Sequence, residues 1–271
     1  MRDEHRRANG TTLRCRVEGP SSAQAILFSH TLAADLSMWD EQAAYFARHY
    51  RVIRYDCRGH GQSGTTAPPF SLSLLVEDVR SLLDALGVEQ VHFVGLSLGG
   101  MVGQIFAARY PQRLLSLALC DTSARMDIDV WEDRIALARH DGLAKLADPT
   151  IERWFTESFR EKNKARVNQA RQMILATSVE GYIGASSAIR DMDNTTVLSR
   201  IATPTLVIVG RNDRSTPPSD AEVICSKIAG SSLVVIEDAA HLSNIEQAED
   251  FNNALESFLQ RQTSRALEQH S

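Results

Sequence analysis

One pentapeptide has the residue types and the context of a serine nucleophile. Residues 95–99 read Gly-Leu-Ser-Leu-Gly and match G-x-S-x-G, the pattern of a serine on a sharp turn between a strand and a helix. The apolar run 91–94 predicts a buried strand before the turn, and helical spacing over 99–110 predicts a helix after it. We therefore expect Ser97 next to a helix N-terminus, where developing negative charge is stabilised.

A serine hydroxyl is a weak nucleophile and needs a histidine base that a carboxylate holds in place. Of the histidines that follow Ser97, His140 lies on a predicted helix surface and His270 in the polar end of the chain, so His241 best fits the order Ser, Asp, His. Asp213 comes directly after the apolar run 205–209 and is the predicted acid. Asp121, which follows an earlier strand, is the alternative, whereas Asp238 lies too close to His241 in sequence.

Acyl transfer also needs two N–H donors for the oxyanion that forms. The N–H of Leu98, the residue after the serine, is the first predicted donor. The second should come from the loop that follows the run 25–29, where we predict Leu32, with Thr31 as the alternative.

Short apolar runs alternate with helical patterns over most of the chain, which predicts an α/β fold with a mostly parallel sheet. Residues 126–198 instead carry helical periodicity without a convincing strand. We therefore expect an α/β core of residues 1–125 and 199–271, interrupted by a helical cap of residues 126–198.

The composition excludes several classes of function. The net charge is −5 and aromatic residues make up 6% of the chain, so nucleic acid and anionic membrane surfaces are not expected partners. No Cys/His cluster has metal-ligand spacing and no phosphate-binding glycine motif follows the first strand, so no metal and no cofactor are expected. Four scattered cysteines and the lack of a signal-like apolar stretch predict a cytoplasmic protein. Self-association into a homo-oligomer is left open.

Together these motifs resemble the α/β-hydrolase superfamily. The resemblance runs over about residues 10–260 and rests on D-x-R-G-H-G-x-S at 56–63, the serine pentapeptide, G-x-x-D at 210–213 and the late His241. More narrowly, the sequence resembles the 3-oxoadipate enol-lactonase and carboxylesterase group at residues 35–39, 119–125, 153–156 and 241–246. The resemblance implies an α/β-hydrolase fold and a hydrolase of small carboxylic esters or lactones.

The substrate is less defined than the reaction. We expect cap residues Trp154 and Phe155 to line an apolar pocket that prefers neutral acyl chains, including acyl-homoserine lactones. The alternatives are a 3-oxoadipate enol-lactonase and, from another class, a receptor-like ligand-binding protein with vestigial turnover. An anionic lactone requires a cation inside the pocket, and the arginines of the cap region are expected to be solvated or structural: Arg125, Arg134, Arg153 and Arg190.

Overall fold

A single eight-stranded sheet forms the centre of the molecule. The computed structural model describes the backbone of residues 2–268 and the side chains of residues 3–262. The strands are β1 (Arg2–Ala8), β2 (Thr11–Glu18), β3 (Ala25–Ser29), β4 (Arg51–Tyr55), β5 (Val91–Leu96), β6 (Leu114–Cys120), β7 (Thr205–Gly210) and β8 (Ser232–Ile236). Their order is β1-β2-β4-β3-β5-β6-β7-β8, and all pairs from β4 to β8 are parallel, while β1 and β2 are antiparallel additions at one edge.

The central strands are buried on both faces, which explains their continuous apolar sequences. Every residue of β3, β5 and β7 is buried, as expected where helices cover both sides of a parallel sheet. The sequence did not indicate β1 and β2, because they are rich in charged residues. In β2 only alternate side chains, among them Leu13 and Cys15, are buried against the core.

Eleven α-helices surround or cover the sheet in the described part of the chain. They are α1 (Asp40–Phe46), α2 (Leu72–Ala85), α3 (Leu98–Arg109), α4 (Ile128–Asp141), α5 (Ala144–Trp154), α6 (Glu157–Lys162), α7 (Lys164–Ala176), α8 (Val179–Arg190), α9 (Pro218–Lys227), α10 (Ser243–Glu246) and α11 (Ala248–Glu268). The α/β class and the mostly parallel sheet expected from the sequence are confirmed. Helix α11 continues to Glu268, since the residues after Gln260 are mostly good helix formers.

Helices α4 to α8 all lie between β6 and β7. An isolated β-bridge between Arg125 and Asp193 joins the two chain segments that lead into and out of this helical region. The side chain of Asn194 donates to the carbonyl of Met101, at 3.2 Å, and to the side-chain oxygen of Gln104, at 3.0 Å. These bonds fasten the helical region to α3, the helix that follows the serine.

No helix within residues 2–268 combines the length and the apolar character that a membrane crossing requires.

Candidate active site

Ser97 occupies the strained turn that its motif predicts. It lies between β5 and α3 with φ +56° and ψ −114°, a backbone conformation that residues other than glycine rarely adopt. Two glycines make the turn possible. A Cβ at Gly95 would lie 2.3 Å from the carbonyl oxygen of Gly99, and one at Gly99 would lie 2.2 Å from that of Ser29. The turn therefore presents Ser97 at the carboxyl end of the sheet with neighbouring backbone packed directly around it.

The imidazole of His241 is bound to a buried aspartate. Nδ1 of His241 donates to Oδ2 of Asp213 at 2.8 Å, and both side chains are almost fully buried. The same Oδ2 accepts from the hydroxyl of Thr216 at 2.7 Å, and Oδ1 accepts from the backbone N–H groups of Ser215 and Thr216 at 2.7 and 3.1 Å. Asp213 thus closes a local turn and also fixes the histidine ring, with Nε2 left for proton transfer.

Asp121, the alternative acid, binds elsewhere. Its Oδ1 accepts from the backbone N–H of Gly210 at 2.7 Å and its Oδ2 accepts from the hydroxyl of Ser243 at 2.5 Å. Burial, and then the nearby charge of Asp213, raises the pKa of Asp121 well above its usual value. Asp121 therefore ties the end of β7 to the segment after His241 without bonding to the imidazole.

A cavity of about 320 Å³ lies over Ser97 and His241, between the sheet edge and helices α4, α5 and α8. The loop after β3 forms one wall with Thr31, Leu32 and Ala33. The opposite wall comes from the helical region and includes Met126, Val130, Trp131, Arg134, Arg153, Trp154 and Tyr182.

The two aromatic residues predicted to line this cavity are separated. Trp154 lies on the cavity wall. Phe155 instead lines a neighbouring cleft and stacks on Phe159, with 5.1 Å between ring centroids. The backbone leaves the helix at Phe155, with φ −133° and ψ +145°, so consecutive side chains face different spaces.

Four arginines line the cavity: Arg134 and Arg153 are half-buried, while Arg125 and Arg214 are exposed. Among the side chains that the structure describes, Arg134 and Arg153 form no ion pair. The guanidinium of Arg134 lies 4.6 Å from the centre of the Trp131 ring, and Nη2 of Arg153 donates to the hydroxyl of Thr150 at 3.0 Å. Burial, and then the positive charge of Arg134, lowers the pKa of Arg153 to about 10. Neither guanidinium therefore has a described carboxylate at ion-pair distance.

The other two arginines singled out from the sequence differ. Arg190 pairs with Asp191, with Nε of the arginine 2.7 Å from Oδ1, whereas Arg125 is exposed at the edge of the cavity. The spacing of Trp131 and Arg134 is the sequence signal for the inward position of Arg134, because residues three apart share a helix face.

Glu246 is a residue that the sequence analysis did not single out. Its Oε2 accepts from the N–H of Ala240 at 2.5 Å, and its Oε1 accepts from the N–H and the hydroxyl of Thr156 at 2.9 and 2.7 Å. It lies within the segment 241–246, which matched the enol-lactonase group, but sequence spacing alone did not connect it with residue 156.

Within residues 3–262, no group of three or more His, Cys, Asp and Glu side chains is arranged to hold a metal ion.

These features define a hydrolase built on a parallel sheet, and comparison with known proteins identifies the family. The family model of the alpha/beta hydrolase fold matches residues 24–248. The chain belongs to this family, as its motifs indicated.

Individual relatives narrow the group. The chain is 37% identical over 255 residues to 3-oxoadipate enol-lactonase 2 of Acinetobacter baylyi, covering 94% of this chain and 95% of that protein. The enol-lactonase from Burkholderia xenovorans LB400 superposes with a TM-score of 0.93 at 37% identity, over 95% of this chain and 100% of that one. A hydrolase from Pseudomonas aeruginosa PA01 gives a TM-score of 0.92 at 40% identity, over 95% and 98% of the two chains. The resemblance to the enol-lactonase group is confirmed.

Proposed function

We propose that this enzyme hydrolyses small lactones or esters that carry a carboxylate, through an acyl-enzyme on Ser97. The protein is a carboxylic ester or lactone hydrolase. The choice of an anionic substrate rests on one observation: two half-buried guanidiniums without an ion pair, Arg134 and Arg153, lie in the wall of the cavity over Ser97. An enol-lactone of the kind named in its relatives fits this description.

In the proposed reaction, Nε2 of His241 takes the proton of the Ser97 hydroxyl as its oxygen attacks the carbonyl carbon of the substrate. Asp213 holds the imidazole through Nδ1 and stabilises its positive charge. The tetrahedral intermediate then expels the ring or alcohol oxygen, which takes the proton from His241. Water, activated by the same histidine, hydrolyses the acyl-enzyme and restores Ser97.

The oxyanion of each tetrahedral intermediate is assigned to the N–H groups of Leu98 and Leu32. Leu98 is the first residue of α3, and the first N–H groups of a helix have no carbonyl partner within it. In the loop after β3, the N–H of Thr31 already donates to Sδ of Met38 at 3.5 Å. Leu32, on the cavity wall, is therefore the better candidate of the two.

We assign substrate choice to residues 126–198, the cap of the proposed domain division, because this region supplies both guanidiniums. Leaving a partly buried charge without a partner costs up to several kcal/mol. A substrate carboxylate between Arg134 and Arg153 recovers that cost, while a neutral acyl chain does not. The two guanidiniums therefore favour an anionic substrate over the neutral, apolar acyl chains expected from the sequence.

The test of the proposal compares three substrates on the wild-type enzyme: 3-oxoadipate enol-lactone, p-nitrophenyl butyrate and an N-acyl-homoserine lactone. We expect kcat/KM for the enol-lactone to exceed both others by about a hundredfold or more, equivalent to about 2.7 kcal/mol in the transition state. Equal values, or a preference for either neutral substrate, contradict an anion-selective cavity.

We also propose a cytoplasmic location. It is supported by the cysteines, since Cys15, Cys57, Cys120 and Cys225 form no disulfide.

A further inference from the structure

The segment that carries His241 is fastened to the helical cap on both sides of the histidine. Before it, the N–H of Ala240 donates to Glu246, whose other oxygen accepts two hydrogen bonds from Thr156. After it, the N–H of Leu242 donates to the carbonyl oxygen of Trp154 at 3.0 Å. Both attachment points belong to one short stretch of the cap, residues 154–156.

We propose that Glu246 is a positioning residue that couples the cap to the catalytic base by holding the backbone before His241 against Thr156. The proposal rests on the assignment of His241 as the base. Glu246 touches neither Ser97 nor His241 through any hydrogen bond in the described side chains, so its influence on the reaction passes through the backbone of Ala240.

The chemistry of the link requires a carboxylate. All three groups that face Glu246 are donors: the N–H of Ala240, the N–H of Thr156 and the hydroxyl of Thr156. A carboxylate accepts on both oxygens, whereas an amide of the same shape has one acceptor and directs an NH₂ group at a donor on the other side. Glu246 is 8% exposed, so water does not readily replace a lost bond.

The position of the link gives it a consequence for substrate binding. Arg153 and Trp154 both line the cavity. They lie three and two residues before Thr156 in the chain. A ligand that fixes these side chains also fixes the stretch to which the His241 segment is bound. Substrate binding at the cap and the orientation of the base are therefore linked, before His241 through Glu246 and after it through the Leu242–Trp154 bond.

Glu246→Gln tests the link with little change in shape. We expect kcat for p-nitrophenyl butyrate to fall about tenfold, with KM changed less than about twofold, because misplacing a catalytic base affects the transition state more than binding. The rate at which a fluorophosphonate labels Ser97 is expected to fall by the same factor, because labelling also needs an oriented base.

The matched control is Glu157→Gln. Glu157 is exposed and lines the same cleft as Glu246, and its substitution should leave kcat, KM and the labelling rate unchanged. Thr156→Val removes one of the two bonds from Thr156 and should lose part of the activity that Glu246→Gln loses. Thr156→Ser keeps the hydroxyl and should therefore keep the activity that Thr156→Val loses.

Three results overturn the proposal. In the first, Glu246→Gln keeps wild-type kcat. In the second, KM rises and kcat is unchanged. In the third, the melting temperature falls while the labelling rate per folded molecule stays at the wild-type value, which marks a purely structural role. Failure of wild-type enzyme to be labelled at Ser97 would instead refute the underlying catalytic assignment, so the two failures are distinguishable.

Discussion

The edge of the sheet and the cap face each other across one cavity, but they hold their polar groups differently. At the sheet edge, Asp213 accepts hydrogen bonds from Ser215, Thr216 and His241, and Ser97 is fixed by the geometry of its turn. In the cap, Arg134 and Arg153 are half-buried and form no ion pair with any described side chain. At the sheet edge, the aspartate and the imidazole are bonded to each other without a ligand, whereas the cap leaves two guanidiniums whose charge a ligand can pair.

This difference separates reaction type from substrate choice. Groups that are fully bonded before the substrate arrives are preorganised for chemistry. Unpaired guanidiniums gain their main partner from the ligand and so discriminate between ligands by charge. Variants in the two regions should therefore affect different kinetic quantities.

Ser97→Ala should have the largest effect and should act on every substrate alike. Removing the nucleophile costs on the order of 10⁶ in kcat, with no change expected in the fold because the hydroxyl supports no described hydrogen bond within the core. The measurement is hydrolysis of an anionic and a neutral ester by the purified variant, alongside its circular dichroism spectrum. A folded variant that keeps a tenth of wild-type activity would refute the assignment.

Asp213→Asn should have the next largest effect. We expect kcat to fall roughly 10⁴-fold, because an asparagine no longer favours the imidazole tautomer that the reaction needs. The matched control is Asp121→Asn, which alters a buried aspartate on the neighbouring strand end that bonds to Gly210 and Ser243. If Asp121→Asn proves the slower enzyme, the acid has been assigned to the wrong strand.

Phe155→Leu should have the smallest effect on turnover, although Phe155 belongs to the cap and was predicted to contact substrate. Since its ring stacks on Phe159 outside the cavity, kcat/KM should stay within about twofold of wild type, or about 0.4 kcal/mol. Trp154→Leu, one residue earlier and on the cavity wall, is the control that should lower kcat/KM. A greater loss for Phe155→Leu than for Trp154→Leu would mean that the substrate reaches the neighbouring cleft.

The sheet edge was more predictable from sequence than the cap, for a physical reason. Glycines at 95 and 99 are required by backbone contacts, and Asp213 follows directly after a buried strand. Such constraints leave a local signature in the chain. The edge strand β2 has a weaker sequence signature, because arginines on its polar face alternate with the buried apolar residues.

Side-chain direction in the cap depends on tertiary packing that no short motif records. Trp154 and Phe155 are adjacent and equally apolar, yet a change of backbone conformation at the end of α5 sends them to different spaces. In the same way, composition alone did not distinguish the cavity-facing Arg153 from Arg190, which pairs with Asp191.

The most direct test of the account compares opening of the lactone ring in two substrates of opposite status at one group, the free carboxylate of 3-oxoadipate enol-lactone and its uncharged methyl ester. For wild-type enzyme we predict a kcat/KM ratio of about a hundred or more in favour of the free carboxylate, equivalent to about 2.7 kcal/mol. In the double variant Arg134→Met, Arg153→Met the ratio should fall below about ten, with kcat/KM for the methyl ester nearly unchanged. A ratio that survives the double substitution, or a wild-type enzyme that prefers the methyl ester, would contradict the claim that the cap selects an anionic substrate.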